Sequence, residues 1–430
     1  MGSSAEKRKV LIISPHFPPS NLTAVHRSRL FAQHLPSFNW DPIILTVHEN
    51  YYEEKLDFNL VKLLPRELRI EKVKAWNVTK PRVIGDIGIR GFFSIYRKAK
   101  QLIRQERIDF LFIPIPSFYA ALLGRLLHSS TGVKYGIDYI DPWVHEFAGS
   151  DKVFSRHWWS TKLSAFLEPI AVKKASLISG VAEGYYKGVL ERNRNLAATC
   201  IFCAMPYGGE QADHEKVSKM NLQPYLFKKK TDKIQMVYAG AMLPNAYKPL
   251  EAIFEAIASN RYFFKDLEIH FIGTGRLAND PSSFTIRPYA EKYGLWNEVI
   301  FEYAQRIPYL DVLVHLDNAS GVFILGSTEP HYTPSKVYQA VLAGKPIYAV
   351  LHAQSTAIEV VREANIGIVL PFDGLNGLEM IKKEFAGKYG DFVTFMKSFE
   401  AAQINSQAFR KYSAESVTKV LASHLDEIFS

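Results

Sequence analysis

A short polar segment in the second half of the chain could bind an anion. Thr333, Pro334, Ser335 and Lys336 stand directly before an apolar stretch that has the periodicity of a helix, and Gly344 suits its end. The unpaired N–H groups and the positive dipole end of a helix attract phosphate or carboxylate, and Thr333, Ser335 and Lys336 would strengthen that attraction. The spacing therefore predicts an anion site at a helix start. A well-capped helix without a ligand is the alternative.

Two further segments in the same half carry residue types suited to phosphate. Gly240 ends an apolar strand and Lys248 opens the next helix, where a lysine is electrostatically unfavourable unless an anion is present. Gly273 and Gly275, followed by Arg276, end the next strand and would let a ligand approach the backbone closely. This spacing is not Gly-x-Gly-x-x-Gly, so the fingerprint of dinucleotide-binding proteins is absent. A tight strand-to-helix turn without a ligand is the alternative interpretation of the two glycines.

These segments would be positioned by an α/β fold. Apolar strands alternate with helical patterns along the chain, which is typical of parallel sheets. Residues 207–232 are polar, with Gly, Pro and charge, as in a linker. We therefore predict two doubly wound Rossmann-like domains at 1–206 and 233–395, followed by a helical segment at 396–430. In such sheets ligands bind at the carboxyl ends of the strands, which is where the polar segments stand.

Composition limits the function classes. The chain has 430 residues, of which 47% are hydrophobic and 22% charged, as in soluble globular proteins. No apolar stretch is long enough for a transmembrane helix, and the N-terminal segment lacks the apolar core and cleavage site of a signal peptide. Cys200 and Cys203 cannot form a four-ligand zinc site alone, and we interpret them as reduced thiols of a cytoplasmic protein.

The charge of the chain is uneven. Residues 1–205 carry 29 Lys and Arg against 18 Asp and Glu, a net charge of +11, whereas the remainder carries 23 against 25, a net charge of −2. The basic first half is either an ordinary solvated surface or a surface for an anionic partner. For such a partner, a membrane surface or lipid phosphate fits better than nucleic acid because no nucleic-acid-binding motif accompanies the charge. Helix 93–107 and the basic, aromatic segment 154–163 are the candidate membrane-contacting surfaces. For segment 154–163, the alternative is that its tryptophans are packed inside the protein.

Taken together, several stretches resemble the family 4 retaining glycosyltransferases, which have the GT-B fold. The stretches are VLIISPHFPPSNLTAVHRSRLFAQHL, VYAG followed by YKPLEAI, IHFIGTGR, and PSK-x-Y-x-x-x-x-A-G-K-P. Each motif is loose, but their order and spacing are specific and extend from Val10 to about Phe372. The resemblance implies two Rossmann-like domains facing a central cleft, with the acceptor on the first and a nucleotide-sugar donor on the second. It also implies a C-terminal helix that packs back on the first domain.

By position, the resemblance implies roles for single residues. The donor-binding residues would be Asn21, Arg27, Gly240, Gly273, Gly275, Arg276, His331, Thr333, Pro334, Ser335 and Gln339. The catalytic residues would be Lys248 and Lys336, which contact the diphosphate, and Asp141, which lies near the acceptor. Beyond the resemblance, we hypothesise that Asp141 or His145 orients the acceptor hydroxyl.

Three features depart from the family pattern. The family has two glutamates eight residues apart, of which the second binds the ribose; here they fall on His331 and Gln339, with Glu329 two residues early. The arginine usual between Gly240 and Lys248 is missing. A neutral glutamine binds a hydroxyl more weakly than a carboxylate does, so these changes leave the donor open between UDP- and GDP-sugars.

We therefore expect a retaining, metal-independent glycosyltransferase of polysaccharide or glycoconjugate biosynthesis, with no cofactor beyond the donor. It would move a sugar from a nucleoside-diphosphate sugar to a glycan, a lipid-linked acceptor or another hydroxyl, while cations and helix N-termini stabilise the leaving diphosphate. Two alternatives stay open: a GT-B sugar-nucleotide 2-epimerase and a non-catalytic nucleotide-sugar-binding subunit. We further expect a cytoplasmic monomer or dimer with peripheral contact at the inner face of the membrane and no nucleic-acid partner.

Overall fold

The computed structural model describes residues 7–79, 85–144, 153–277 and 279–430, with Arg156 and His157 described by their backbone only. The chain forms two compact units. Unit 1 comprises Met1–Tyr207 and Ala414–Ser430, and unit 2 comprises Gly208–Ser413.

The described residues form thirteen strands and fifteen α-helices. The strands β1 to β13 are, in chain order, Arg8–Ile13, Trp40–Val47, Arg69–Val73, Phe110–Ile115, Lys134–Tyr139, Leu177–Gly180, Ile201–Ala204, Ile234–Ala239, Leu267–Ile272, Ile300–Tyr303, Gly321–Leu325, Ile347–His352 and Gly367–Phe372. The helices α1 to α15 are Thr23–His34, Ile87–Arg90, Phe92–Glu106, Ala121–Thr131, Arg156–Val172, Glu183–Arg192, Gln211–Met220, Tyr247–Ser259, Arg287–Lys292, Tyr309–Asn318, Lys336–Leu342, Ala357–Glu363, Leu378–Ser398, Ser406–Phe409 and Ala414–Phe429.

Each unit is built on one parallel sheet. The sheet of unit 1 has the strand order β3-β2-β1-β4-β5-β6-β7, and the sheet of unit 2 has the order β10-β9-β8-β11-β12-β13. All strand pairs are parallel. The central strands are apolar and buried on both faces because helices cover both sides of each sheet. The predicted fold class, two doubly wound Rossmann-like domains, is therefore confirmed.

The last helix, α15, belongs to unit 1. It packs on α1, and Leu421 and Leu425 join the core on that face of the sheet. Trp40 Nε1 donates to Asp426 Oδ1 at 3.0 Å, and the ring of Phe429 lies 6.0 Å from that of Trp40. The expected return of the C-terminal helix to the first domain is thus confirmed. The apolar face of α15 packs on α1 and completes the core on that side of the sheet.

Several elements differ from the sequence prediction. The polar range 207–232 contains α7, whose buried face carries Asp213, His214 and Val217. Two of those three side chains are polar and are satisfied by partners distant in sequence, so the helix lacks an apolar stripe that could have predicted it. Strands β3, β7 and β10 were also missed because they are short and partly exposed.

No helix among the described residues is long and apolar enough to cross a bilayer.

Candidate functional site

The strand order of each sheet defines one point where the direction of winding reverses. In unit 1 this point lies between β1 and β4, and in unit 2 it lies between β8 and β11. Loops that leave adjacent strands in opposite directions open a crevice at the carboxyl edge of a parallel sheet, where ligands bind in open α/β folds. The crevice of unit 2 therefore has the loops after Ala239 and Leu325 as its walls.

The loop after β8 leaves room at this crevice. Gly240 has φ +126°, a conformation that favours glycine, and no atom lies within 4 Å of where a Cβ would stand. Its N–H donates to Ile272 O at 2.9 Å, which holds the loop against the neighbouring strand. Lys248 follows in the first turn of α8 and is exposed. Both residues thus lie near the carboxyl edge with space around them.

The Gly273–Gly275 turn is occupied by the protein itself. The N–H of Gly273 donates to Tyr303 O at 2.8 Å, and that of Gly275 donates to Ala304 O at 2.9 Å. A Cβ on Gly275 would lie 2.6 Å from Ala304 O, so glycine is required there for the approach of the loop that follows β10. The predicted contact of both glycines with a donor, and of the exposed Arg276, stays a prediction.

A buried carboxylate fixes this turn. Glu302 at the end of β10 accepts hydrogen bonds from three N–H groups at the start of α9. These are the N–H groups of Thr285, Ile286 and Arg287, at 2.9, 3.0 and 2.8 Å. It also accepts from Thr274 Oγ1 at 2.8 Å. A carboxylate at a helix N-terminus is favourable, so Glu302 joins α9, β10 and the glycine turn into one rigid corner.

The segment Thr333–Lys336 precedes a short helix, as the sequence predicts. The helix α11 begins at Lys336, and Ser335 precedes it without making a side-chain cap. Thr333 is buried and its hydroxyl lies 2.8 Å from that of Thr356, so it is directed at the neighbouring loop. Pro334 is also buried, and Gly344 has φ +65° at the helix end, as predicted.

Lys336 is the electrostatically unusual residue of the site. No carboxylate of the described residues forms a salt bridge with it, and its Nζ lies 5.9 Å from the ring centroid of Tyr309. Burial of the ammonium, with repulsion from the cation of Arg306, lowers the pKa of Lys336 to about 8. A bound anion would offset both effects. This environment favours a bound anion, and the predicted anion contact of Lys336 stays a prediction.

Arg306 was missed in the sequence. It lies three residues beyond Tyr303 at the carboxyl edge of the sheet, and its Cα is 3.7 Å from the position of a Cβ on Gly273. The position could have been found only by recognising β10, a strand of four residues. Its charge brings a second cation to the corner near Lys336.

Gln339 is held by another part of unit 2. It is 7% exposed, and its Oε1 lies 3.1 Å from Nε2 of His214 in α7. The other ring nitrogen of His214 lies 3.7 Å from Asp317 Oδ1. The amide predicted to bind ribose therefore has a protein partner in this structure, and its contact with a nucleotide stays a prediction.

The neighbours of Gln339 in the predicted motif are less enclosed. His331 and Glu329 are half-buried in the loop between β11 and α11. The hydroxyl of Ser327 donates to Glu329 Oε2 at 3.2 Å and accepts from the Glu329 N–H at 3.2 Å. This turn fixes the backbone of the loop at residues 327–329, which end seven residues before Lys336.

In unit 1, Arg27 forms a buried ion pair. Its Nε and Nη2 donate to Asp138 Oδ2 and Oδ1 at 2.5 and 2.9 Å, and both side chains are almost fully enclosed. Nη1 donates to Pro206 O at 2.7 Å, and Ser179 Oγ donates to Asp138 Oδ1 at 2.7 Å. The guanidinium predicted to contact the donor is thus used to join α1, β5 and β6. The predicted donor contact of Arg27 stays a prediction.

Several polar groups lie beyond the carboxyl ends of β1 and β4. Nδ1 of His16 lies 2.9 Å from Glu54 Oε1, which also accepts from Ser20 Oγ. Burial of Glu54 opposes ionisation, but these partners lower the pKa of Glu54 to about 2. Burial raises the pKa of Asp86, which accepts from Ser117 Oγ at 3.0 Å. Sequence reasoning missed Glu54 and Asp86 because they lie far along the chain from both strands.

The remaining predicted residues of unit 1 lie near this edge or outside the description. Nε2 of His26 in α1 lies 3.1 Å from Oδ1 of Asn21, which lies in the loop before that helix. Asp141 is exposed two residues after β5. His145 lies outside the described residues.

Neither cysteine pairing nor metal ligation is found in the described part of the chain. Cys200 and Cys203 are free thiols, and burial raises the pKa of each to about 12. Over the same described residues, three or more His, Cys, Asp or Glu side chains do not come together in a group able to hold a metal ion. The expectation of a metal-independent reaction stays a prediction.

Comparison with known proteins identifies relatives of the fold. No protein-family model matches the chain, and no curated protein matches it significantly. Among solved structures, sucrose-phosphate synthase from Thermosynechococcus elongatus matches with a TM-score of 0.64 at 12% identity, covering 98% of this chain and 99% of that one. A glycosyltransferase from Rickettsia africae matches with a TM-score of 0.61 at 13% identity, covering 99% of both chains.

A third structure carries ligands. HepE from Anabaena, solved in complex with UDP and glucose, matches with a TM-score of 0.61 at 14% identity, covering 98% of this chain and 100% of that one. At these identities the likeness is one of fold. Because both sheets are parallel and doubly wound and the matches span the whole of each chain, the protein has the GT-B fold.

Proposed function

We propose that the protein is a glycosyltransferase that moves a sugar from a nucleoside-diphosphate sugar to a hydroxyl acceptor. Unit 2 would bind the donor at the carboxyl edge between β8 and β11. Unit 1 would bind a glycan or lipid-linked acceptor at the corresponding edge between β1 and β4. The fold is shared with HepE, which binds UDP and glucose, and this supports UDP-sugars as the first donors to test.

The observation that carries the proposal is the environment of Lys336. Its side chain is half-buried, burial and the cation of Arg306 lower the pKa of its ammonium, and among the described residues no carboxylate forms a salt bridge with it. A partly buried ammonium without a carboxylate partner is stabilised by a bound anion. A diphosphate that leaves a sugar gains negative charge in the transition state, and two cations held by the fold would stabilise it.

The resemblance to family 4 glycosyltransferases implies transfer with retention of configuration. It also implies how the acceptor hydroxyl would lose its proton. The leaving phosphate would accept the proton of the acceptor hydroxyl, so no dedicated base is needed. Asp141 would orient that hydroxyl, with His145 in the same role. Lys248, exposed at the start of α8, would contact the phosphates once the donor is bound.

The test is turnover with a matched control. The full chain is incubated with UDP-glucose and other UDP- and GDP-sugars in the presence of sugar and lipid-linked acceptors, and products are identified by mass spectrometry. Lys336→Ala should reduce turnover by roughly 10²–10³-fold. Lys345→Ala, three residues beyond the end of α11, should retain it. Near-normal turnover in Lys336→Ala would exclude the diphosphate assignment.

One observation favours a second candidate, a non-catalytic nucleotide-sugar-binding subunit. Gln339 stands where the family has a charged ribose ligand, and it is hydrogen-bonded to His214 instead. Such a subunit would bind a donor without turnover on any acceptor. Conversion of the sugar nucleotide without an acceptor would instead identify a 2-epimerase.

A further inference from the structure

The helix α5 in unit 1 has an apolar outer face. Trp159, Leu163, Phe166 and Ile170 are 56, 45, 67 and 43% exposed. Their spacing of four, three and four residues places them on one stripe of the helix. Single exposed apolar residues are ordinary, but a contiguous stripe of four large ones on one helix marks an interaction surface.

The inner face of the same helix is mixed: Leu167, Ala171 and Val172 pack into the core of unit 1, and two polar residues are buried beside them. Ser164 and Glu168 are buried, and Glu168 is 0% exposed. Its carboxylate accepts from Arg192 Nε and Nη2 at 2.8 and 2.9 Å, which satisfies the buried charge. A helix that serves only its own domain buries its apolar side and exposes its polar side. In α5 large apolar side chains also lie on the exposed side, so the core of unit 1 does not explain the apolar stripe.

Aromatic side chains extend the stripe at the start of the helix. Phe154 is 74% exposed, and its ring lies 5.7 Å from that of Trp158. The rings of Trp158 and Trp159 lie 4.8 Å apart in an edge-to-face arrangement, and Lys162 Nζ lies 5.7 Å from the ring centroid of Trp158. Tryptophan beside lysine is typical of the water–lipid interface, where the indole lies at the level of the headgroups.

The exposed charges on α5 itself have one sign. Among the described side chains of α5 and the two residues that follow it, the exposed charged groups are Lys162, Lys173 and Lys174, whereas the carboxylate of Glu168 is buried. The neighbouring layer has the same character. Helix α4 packs between α3 and α5, and α3 exposes Phe93 with Arg97 and Arg104. The surface is therefore apolar and cationic over neighbouring helices.

We propose that the outer face of α5 docks unit 1 on an anionic lipid surface. The stripe would enter the interfacial region of the bilayer, while the lysines contact anionic headgroups. A second copy of this chain is a poorer occupant, because a two-fold interface would bring the lysines of one copy against those of the other. The proposal goes beyond sugar transfer and does not depend on it.

Vesicle co-sedimentation of the full chain tests this proposal. The protein should co-sediment with vesicles of phosphatidylcholine and phosphatidylglycerol more strongly than with phosphatidylcholine alone, and should be released at ~0.5 M salt. The triple variant Trp159→Ser, Leu163→Ser, Phe166→Ser should lose at least about tenfold in vesicle partitioning. Phe58→Ser with Val61→Ser, two other exposed apolar residues of unit 1, should bind as the unsubstituted protein does.

Three outcomes would overturn the proposal. The protein could remain in the supernatant with anionic vesicles, or the triple variant could bind as well as the unsubstituted protein. The protein could also form a concentration-dependent dimer that the triple variant abolishes, which would make this face an interface between copies. Thermal unfolding of the triple variant verifies its fold. Nucleotide binding measured on the same sample distinguishes a failure of the membrane-docking proposal from a failure of the proposed function.

Discussion

Gln339 and His214 form a hydrogen bond between α11 and α7, with 3.1 Å between Oε1 and Nε2. Because the amide oxygen is an acceptor, Nε2 of His214 carries the proton that it donates. The two residues are 125 positions apart, and both are buried. The pair thus joins the predicted donor-binding helix to the helix that replaces the expected linker.

This pair predicts coupling in a double-mutant cycle. Gln339→Leu should lower the free energy of unfolding of unit 2 by about 1–3 kcal/mol, because it leaves the Nε2–H of His214 buried without an acceptor. The double variant Gln339→Leu, His214→Leu should lose less free energy of unfolding than the sum of the losses in the two single variants, with a coupling of about 0.5–3 kcal/mol. Chemical denaturation checks this, with the exposed Gln354→Leu as the control. Strict additivity would contradict the contact.

The buried ion pair of unit 1 predicts a large stability effect. Asp138→Asn should lower the free energy of unfolding of unit 1 by about 3–5 kcal/mol, since it leaves the enclosed guanidinium of Arg27 without its counter-charge. Denaturant unfolding followed by tryptophan fluorescence measures the loss. As a matched surface pair, Lys72 and Glu49 lie 2.8 Å apart, and Lys72→Ala should cost no more than about 1 kcal/mol. Equal effects in the two variants would be inconsistent with the buried pair.

Two glycines of unit 2 should respond in opposite directions to alanine. Gly275→Ala would bring a Cβ to 2.6 Å from Ala304 O and should destabilise unit 2 by about 1–3 kcal/mol. Gly387 lies within α13 with nothing within 4 Å of a Cβ, so Gly387→Ala should stabilise by about 0.5–1 kcal/mol. Thermal unfolding compares them. A neutral Gly275→Ala would refute the close approach of the two loops.

The histidines of unit 2 predict a loss of stability in acid. His315 donates through Nδ1 to Asp311 O at 2.6 Å and accepts at Nε2 from the N–H groups of Tyr225 and Leu226 at 3.2 and 3.1 Å. Burial lowers the pKa of His315, so its neutral form stabilises the folded state. This contribution is complete above the unfolded pKa of about 6.5 and is lost as the pH falls through the folded pKa.

Denaturation as a function of pH measures this loss. The free energy of unfolding of unit 2 should fall from about pH 6.5 downward. Burial also lowers the pKa of His270 to about 4, which extends the decline. His315→Asn should weaken the dependence, whereas His424→Gln, in α15 of unit 1, should leave it unchanged. An undiminished slope in His315→Asn would exclude the role assigned to this imidazole.

The parts of the fold that the sequence predicted well are those with local signals. The strands β1, β8 and β11 are apolar runs that end in Gly, Pro or Ser, and Gly344 marks the end of α11 with its positive φ. These elements also carry the switch points, so the edge of each sheet that holds the candidate site followed from the sequence. The four-residue strand β10 gave no such signal, and Arg306 was lost with it.

Contacts between distant residues were not predictable in the same way. Arg27 and Asp138 are separated by 111 residues, and each alone reads as a polar residue near a strand or helix end. Their pairing depends on which strands become neighbours and on the register between them. For the same reason the partner of Gln339 could not be named, because α7 has a buried face of polar residues that only the folded chain satisfies.

Calorimetric titration with a nucleoside diphosphate tests the central claim most directly. UDP and GDP are titrated in turn into the full chain, into Lys336→Ala and into Lys345→Ala. We predict that one of the two nucleotides binds, that Lys336→Ala weakens this binding by roughly 10- to 100-fold through loss of a charge-assisted contact of about 1.5–3 kcal/mol, and that Lys345→Ala binds as the unsubstituted chain does. Binding of neither nucleotide, or equal binding by Lys336→Ala and the unsubstituted chain, would contradict the account.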